Sequence, residues 1–173
     1  NPEIKAVSIC TPNDTHYKIA VDMMYAGKNV LIEKPMAVSL HQAVDLVTTS
    51  KSKNLILSVG HIYRFNNAIN EVKLLIPELG NIRLIKFNWT NLEPIFNGRD
   101  ILYDLVPHPF DIMNYLFGKD IEILSCTEMG YRVPNPEVVF ITGQINKTIV
   151  NIELSWITLP KTRRMTLVCS NKT

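Results

Sequence analysis

The first sixty residues alternate short apolar runs with segments of helical periodicity. The apolar runs are too short for helices and rich in β-branched residues; they cover residues 4–10, 29–32 and 55–59. Each gap between them is long enough for a crossover helix. This strand–helix–strand order predicts a βαβαβ arrangement with a parallel sheet that helices cover on both faces.

Both gaps carry helix signals. In the first, apolar residues recur on one face from Asn13 to Ala26, with Asn13 or Asp14 as the N-cap, and Gly27 stands where a left-handed C′ residue is expected. In the second, Ser39 forms a capping box with Gln42. The buried face of this second helix is predicted from its apolar spacing: Leu40, Ala43, Val44 and Val47.

The pattern changes at about residue 61. One helix ends at Gly80, and another runs from roughly Pro107 to Phe117 and ends at Gly118. Between them and after them, apolar and polar residues alternate with a period of two, around residues 85–89, 150–156 and 165–169. This period is typical of strands with one buried face in an antiparallel sheet.

We therefore predict two domains with different architectures. Residues 1–60 form part of a parallel α/β domain, and residues 61–173 form an α+β domain whose mostly antiparallel sheet carries helices on one side. Apolar residues also fall on the predicted outer face of this sheet, including Ile141 and Ile149. We expect this face to mediate homo-oligomerisation.

Composition argues against nucleic-acid-binding, membrane-spanning and disulfide-scaffold proteins. The 173 residues are 46% hydrophobic, and 18 basic against 16 acidic residues give a net charge of +2 without a basic block. No nucleic-acid partner is expected from such a distribution, and no membrane span from such short apolar runs. Three widely spaced cysteines favour a reducing interior over a disulfide scaffold or a zinc site. We expect a cytoplasmic protein without a bound metal.

Polar clusters follow each strand of the first domain, and open α/β sheets bind ligands at these strand ends. The first cluster runs from Thr11 to His16, the second is Glu33-Lys34-Pro35, and the third is residues 60–65, which include His61, Tyr63 and Arg64. Each has a structural alternative: a turn with a helix cap, a solvated ion pair, and a packing cluster where the domains meet.

In the second domain, Asp104 and His108 are four residues apart and Asp111 follows three later. On one helix these side chains would share a face, although Pro107 prefers a first turn and would place Asp104 at or before the cap. A carboxylate beside an imidazole can orient it for general-base catalysis. The alternatives are a capping Asp104 with a structural His108, or a metal site that lacks a fourth ligand.

Together these clusters resemble the glucose–fructose oxidoreductase/inositol dehydrogenase/MocA family of nicotinamide-dependent sugar oxidoreductases. Three stretches match its motifs in order: VSICTPNDTHYKIAVDMMYAGKNVLIEKPMAVS, VGHIYRFN and DLVPHPFDIMNYLFG. The resemblance implies that residues 1–60 are the C-terminal half of a Rossmann-type sheet. The family's glycine-rich dinucleotide fingerprint belongs before Asn1, so we expect a piece of a longer protein that is inactive by itself.

The resemblance also implies site residues. Thr11, Pro12 and Asn13 would line NAD or NADP near the nicotinamide, with His16 close behind. Glu33 would approach the ribose. Lys34 would contact the cofactor and be catalytic, with its bond to Pro35 in the cis form. Asp104 and His108 would complete the catalytic set and contact the substrate.

The chemistry of these residues agrees with an oxidoreductase acting on a CH–OH group. His108 suits the base because its ordinary pKa lies nearest neutrality, and Lys34 would stabilise developing charge on the reacting oxygen; the exchanged assignment stays open. Tyr63, Arg64, Asn91 and Arg99 are candidate substrate-binding residues, and guanidinium groups suit the phosphates of a nucleotide sugar.

Two other functions stay open. One is a dehydrogenase of a free polyol, inositol or monosaccharide. The other is a non-catalytic regulator that senses the dinucleotide and needs no catalytic residues, a reading disfavoured by the joint presence of Lys34, Asp104 and His108.

Overall fold

The computed structural model describes residues 1–94 and 100–171, and the chain divides into two compact units, Asn1–His61 and Ile62–Thr173. Each unit has its own hydrophobic core. No helix within the described ranges is long and apolar enough to cross a membrane.

Unit 1 is the predicted βαβαβ arrangement. Its strands are β1 (Ala6–Ile9), β2 (Asn29–Ile32) and β3 (Leu57–Val59), all parallel and in the order β1-β2-β3. Its helices are α1 (His16–Tyr25), entered through a 3-10 turn at Asn13–Thr15, and α2 (Leu40–Ser52). Gly27 follows α1 with a φ of 72°, a left-handed conformation that glycine adopts without a Cβ clash.

Two local predictions for unit 1 are wrong. Neither Asn13 nor Asp14 caps α1, because both belong to the 3-10 turn, and the N-cap of α1 is Thr15, whose side chain makes no capping hydrogen bond. The apolar stripe of α2 is not its buried face, because Leu40 is 81% exposed and Val44 55% exposed. The helix instead buries Leu46, Thr49 and Ser50.

The burial of polar residues on α2 has a local cause. The Ser50 hydroxyl donates to the carbonyl of Val47 at 2.9 Å, so its polar atom is satisfied within the helix. A small hydroxyl residue can then sit against the core at little cost, which hydrophobic periodicity does not reveal. Ser39 Oγ accepts the Gln42 N–H at 3.3 Å, so Ser39 is the N-cap of α2 as predicted. The predicted capping box is only half formed, because Gln42 Oε1 is buried without a hydrogen-bond partner.

Unit 2 is built on a five-stranded sheet in the order β5-β6-β7-β4-β8. The strands are β4 (Ile82–Leu92), β5 (Glu122–Met129), β6 (Val138–Ile145), β7 (Thr148–Ser155) and β8 (Ile157–Cys169). Only the β4–β7 pair is parallel, which confirms the mostly antiparallel prediction. The helices are α3 (Asn67–Leu75), α4 (Ile101–Asp104) and α5 (Pro107–Phe117), and 3-10 turns cover Ile62–Phe65 and Ile76–Glu78.

The core of unit 2 lies on one face of this sheet. The inward rows of β4 and β7 pack with α5, through Ile85, Phe87, Trp89, Val150, Ile152, Leu154, Ile112 and Met113. Ile141 belongs to this core at 3% exposure, so its prediction as an outer residue is wrong. The register explains this: Ile141 pairs with Ile152, and paired residues share a face.

The outer face carries other apolar residues. Phe140 is 47% exposed and Ile149 is 42% exposed, while all of β5 is exposed. The alternation on β7 therefore exists as predicted, β6 shows a similar alternation that the sequence analysis did not predict, and the face assigned to Ile141 is wrong.

Helix α5 begins at Pro107 and ends before Gly118, as predicted, but Asp104 does not belong to it. Asp104 is the last residue of α4, which Asp100 caps by accepting the Leu102 N–H at 2.8 Å. The N-cap of α5 is Val106. Asp104 and His108 therefore lie on two consecutive helices and do not share one helical face.

Candidate functional site

The polar clusters of unit 1 meet at one edge of its sheet. Ile9, Ile32 and Val59 are side by side in register at the ends of the three strands. The residues that follow them lead directly into the Thr11–Asn13 loop, the Glu33–Pro35 segment and Gly60. Thr11 and Pro12 are exposed, and Asn13, Glu33 and Lys34 are half-buried. The predicted cofactor-binding residues thus surround one carboxyl edge.

His16 joins two of these segments. Its side chain is fully buried, with Nδ1 2.8 Å from the carbonyl oxygen of Pro35 and Nε2 2.9 Å from that of Thr11. The imidazole therefore lies between the loop after β1 and the loop after β2. This contact fixes the spacing of the two loops, and His16 touches them from the core side.

The Glu33–Pro35 segment has one backbone hydrogen bond to β1 and one hydrogen bond within itself. Glu33 donates its N–H to the carbonyl of Ile9 at 3.0 Å, and its carboxylate accepts the Lys34 N–H at 3.1 Å. The Lys34–Pro35 bond is cis, as the resemblance implies. Gly60 lies against Glu33, since a Cβ at position 60 would be 3.1 Å from Oε1 of that carboxylate.

The segments after β1 and β2 supply a hydroxyl, an amide, a carboxylate and an ammonium group, from Thr11, Asn13, Glu33 and Lys34. Groups of these types can donate or accept hydrogen bonds to a ribose and a carboxamide. Among the described residues, no group of three or more His, Cys, Asp or Glu side chains could hold a metal ion.

In unit 2, His108 is surrounded by two aromatic rings. Tyr63 packs edge-on against it, with the ring centroids 5.1 Å apart, and Trp89 lies at 5.6 Å. Tyr63 and Trp89 also contact each other at 4.9 Å. Trp89 was not among the predicted site residues, although the alternation along β4 places it on the face toward α5.

The predicted substrate residue Arg64 has a protein partner. Its Nε and Nη2 donate to the carboxylate of Asp111 at 2.8 and 2.5 Å. The Asp111 side chain is 6% exposed and that of Arg64 41% exposed. The hydrogen bond to Asp111 raises the pKa of the Arg64 guanidinium. Sequence reasoning named both residues but did not pair them, because they are 47 positions apart.

The other predicted substrate residues belong to different elements. Asn91, near the end of β4, donates to Glu93 Oε1 at 2.5 Å, and Asp104 ends α4. Arg99, with the Asn97-Gly98-Arg99 sequence, lies outside the described residues.

A second buried carboxylate in unit 2 was not foreseen. Glu137 is 2% exposed and accepts the N–H groups of Tyr131 and Arg132 and the Arg132 Nε, at 2.9, 2.6 and 2.6 Å. Arg132 also donates to the carbonyls of Glu93 and Trp156. Burial raises the pKa of Glu137, but these hydrogen bonds outweigh it and the pKa is lowered overall. This network ties the β5–β6 connection to the ends of β4 and β7.

Curated relatives are oxidoreductases. The chain is 34% identical over 134 residues to the uncharacterized oxidoreductase YdgJ of Escherichia coli, covering 71% of this chain and 39% of that protein. It is 30% identical over 170 residues to a UDP-N-acetylglucosamine 3-dehydrogenase of Acidithiobacillus ferrooxidans, covering 94% and 52%. The NADP(+)-dependent scyllo-inositol 2-dehydrogenase IolW of Bacillus subtilis is 31% identical over 129 residues, covering 68% and 36%. The chain thus spans about half or less of these relatives' length.

Solved structures share the fold of both units. The putative oxidoreductase yvaA of Bacillus subtilis superposes with a TM-score of 0.89 at 26% identity, covering 98% of this chain and 51% of that one. An inositol dehydrogenase homologue of Azotobacter vinelandii, solved with NADH and myo-inositol, gives a TM-score of 0.87 at 23% identity, covering 96% and 49%.

Residues 1–61 match a family described as an oxidoreductase family with an NAD-binding Rossmann fold. This agrees with the parallel sheet of unit 1, and the NAD-binding description of the family supports the predicted nicotinamide cofactor. The similarity to oxidoreductases also extends through unit 2, in sequence and in fold. The chain belongs to the glucose–fructose oxidoreductase/inositol dehydrogenase/MocA family.

Proposed function

We propose that the whole protein is an NAD(P)-dependent oxidoreductase that transfers a hydride between a hydroxyl-bearing carbon of a sugar or polyol and the nicotinamide. One observation carries this proposal: the Thr11–Asn13 and Glu33–Pro35 segments share the carboxyl edge of a parallel sheet in a chain whose family binds NAD. Open α/β sheets bind their ligands at this edge.

Within this function, Thr11, Pro12, Asn13 and Glu33 hold the cofactor, with His16 behind them. When bound, the cofactor supplies the hydride acceptor or donor. Lys34 stabilises negative charge on the reacting oxygen, and its backbone is fixed by Glu33 for this purpose. His108 takes the hydroxyl proton, with its ring held by Tyr63 and Trp89. Asp104 orients the substrate or the imidazole.

The substrate class is a sugar or polyol, and a nucleotide sugar is one candidate within it. The relative acting on UDP-N-acetylglucosamine supports the nucleotide sugar, since it is similar over 94% of this chain. Of the two arginines predicted to bind phosphate, Arg64 is engaged by Asp111, and Arg99 lies outside the described residues. The engagement of Arg64 favours the second candidate, a free polyol or inositol, which needs no phosphate ligand; IolW is a relative of that kind.

We also propose that the outer face of the unit 2 sheet joins copies of the protein. Phe140 and Ile149 are apolar residues on this face, 47% and 42% exposed, beside the polar Thr142 and Asn151. Light scattering of the whole protein tests this, and a monomer at all concentrations contradicts it.

The test of the function uses the whole protein, mixed with NAD or NADP and a panel of inositols, hexoses and nucleotide sugars. Reduced-nicotinamide absorbance reports turnover. We expect Lys34→Ala and His108→Ala each to lower kcat about 100-fold or more, with cofactor affinity little changed.

Matched controls are Lys18→Ala and His41→Ala, which remove the same side-chain types from exposed helix positions of unit 1. Both should keep wild-type turnover. Wild-type turnover in either test variant contradicts the catalytic assignment. Cofactor binding without turnover on any substrate favours the dinucleotide-sensing regulator.

A further inference from the structure

The 3-10 turn Ile62–Phe65 contacts helix α5 through two consecutive side chains. Arg64 reaches Asp111 through two nitrogens, and Tyr63 packs edge-on against His108. Asp111 and His108 are three residues apart on α5, so the two contacts fall on neighbouring positions of one helical face. The turn therefore contacts α5 next to His108, the proposed base.

A third residue of α5, one helical turn further along, is also held by polar contacts. Tyr115, four residues beyond Asp111, donates its hydroxyl to Asn70 of α3 at 2.9 Å. Its ring lies under the Arg64 guanidinium at 5.5 Å and under the Lys73 ammonium at 3.6 Å. The orientation of α5 about its own axis is thus fixed by polar contacts, in addition to its apolar packing.

We propose that Arg64 and Asp111 form a positioning pair that sets the imidazole of His108 through Tyr63, a role different from the direct phosphate binding that the sequence indicated for Arg64. The geometry supports this role. A guanidinium that donates through two nitrogens to one carboxylate fixes direction as well as distance. Because Tyr63 is the next residue, the same pair fixes where its ring meets His108.

This inference rests on the proposed function, in which His108 is the base, but it has its own consequence. An imidazole displaced by a fraction of an ångström still lies near the substrate and transfers the proton more slowly. Loss of the pair should therefore lower kcat while the KM for NAD or NADP, whose proposed ligands lie in unit 1, stays unchanged.

The experiment compares Asp111→Asn with Glu137→Gln in the whole protein. Both variants neutralise a buried carboxylate paired with an arginine in unit 2, with side-chain exposures of 6% and 2%. We expect Asp111→Asn to lower kcat about 10-fold with cofactor KM within twofold, and Glu137→Gln to lower stability while kcat stays within twofold. Arg64→Lys, which keeps the charge but loses the two-nitrogen contact, should lower kcat about threefold.

A second readout does not need turnover. In a ¹³C-labelled sample, the ring signal of His108, assigned with His108→Gln, should be single in the wild type and broadened or doubled in Asp111→Asn. Glu137→Gln should leave it single. If wild-type kcat and a single His108 signal persist in folded Asp111→Asn, the positioning pair is refuted even where His108→Ala abolishes turnover. If the wild type turns over nothing, the proposed function fails, and the ring signal alone decides for or against the pair.

Discussion

The two units hold their candidate functional residues in different ways. In unit 1, the contacts run to the backbone: His16 faces the carbonyls of Thr11 and Pro35, and the Glu33 carboxylate accepts the Lys34 N–H. In unit 2, side chains hold one another: Arg64 binds Asp111, and Tyr63 and Trp89 enclose His108. A contact to a backbone carbonyl requires only that the loop keeps its shape, whatever side chains it carries. A contact between two side chains requires both residue types, and these can be far apart in sequence.

This difference has consequences for mutation. A loop held through its carbonyls should tolerate changes in the side chains it presents, but not loss of the group that binds those carbonyls. A helix held through side-chain pairs should lose its orientation when either partner of a pair changes. The two units should therefore differ in which substitutions lower stability or activity.

The largest effect should come from His16→Ala. A neutral imidazole donates to only one of the carbonyls of Thr11 and Pro35, so the substitution removes one hydrogen bond and also leaves a cavity where the buried ring lies. We expect the free energy of unfolding to fall by about 2–4 kcal/mol and the affinity for NAD or NADP to fall about 10-fold as the two loops separate. Urea unfolding and a cofactor titration measure both.

His41→Ala is the control, because His41 is exposed on α2 in the same unit. It should change neither quantity. If His16→Ala lost less than about 1 kcal/mol and bound cofactor like the wild type, unit 1 would not be held through its loop carbonyls, and the contrast with unit 2 would fail.

The same contrast explains what the sequence could predict. Parallel strands, Gly27 and the extent of α5 follow from local periodicity and glycine position, and all are as predicted. Helix α1 exists as predicted but begins at His16, after a 3-10 turn. The resemblance indicated the cis bond before Pro35, a backbone feature of a short motif. The loops of unit 1 were thus predictable because their order in sequence determines their place at the sheet edge.

What the sequence did not reveal lies mostly in long-range side-chain contacts. The Arg64–Asp111 pair joins residues 47 apart, and Trp89 meets His108 from another element. No local pattern encodes such pairs. The wrong buried face predicted for α2 has a different origin. Hydrophobic periodicity counts serine as polar, so it cannot show that Ser50 is buried with its hydroxyl bonded to its own helix.

A smaller effect is expected in unit 2 from Glu137→Gln. The amide keeps the shape of the side chain but removes the charge that accepts from Arg132 and Tyr131, and hydrogen bonds to charged groups contribute about 1.5–3 kcal/mol. We expect a loss of that size at pH 7 with unchanged cofactor affinity, measured by urea unfolding. Weakened cofactor binding would show that this network does more than stabilise unit 2.

The pH dependence of this loss gives a sharper check. The folded-state pKa of Glu137 is lowered, so its contribution to stability is fully present above the ordinary glutamate pKa of about 4.3 and disappears as the pH falls through the folded value. The difference between wild type and Glu137→Gln should therefore be constant from pH 6 to pH 8 and shrink below about pH 4. A difference that grows toward acid pH would reverse the assigned sign.

The smallest effect should come from Gly60→Ala, which adds a side chain to unit 1 without removing a contact. The new Cβ would be 3.1 Å from Glu33 Oε1, and the far end of a flexible carboxylate can move by the few tenths of an ångström required. Stability should change by less than about 1 kcal/mol, whereas displacement of Glu33 should weaken cofactor binding about two- to threefold. Gly60→Val should enlarge the effect on binding in the same direction. If Gly60→Ala destabilised the protein and left cofactor affinity unchanged, Glu33 would serve the packing of the sheet edge and not the cofactor.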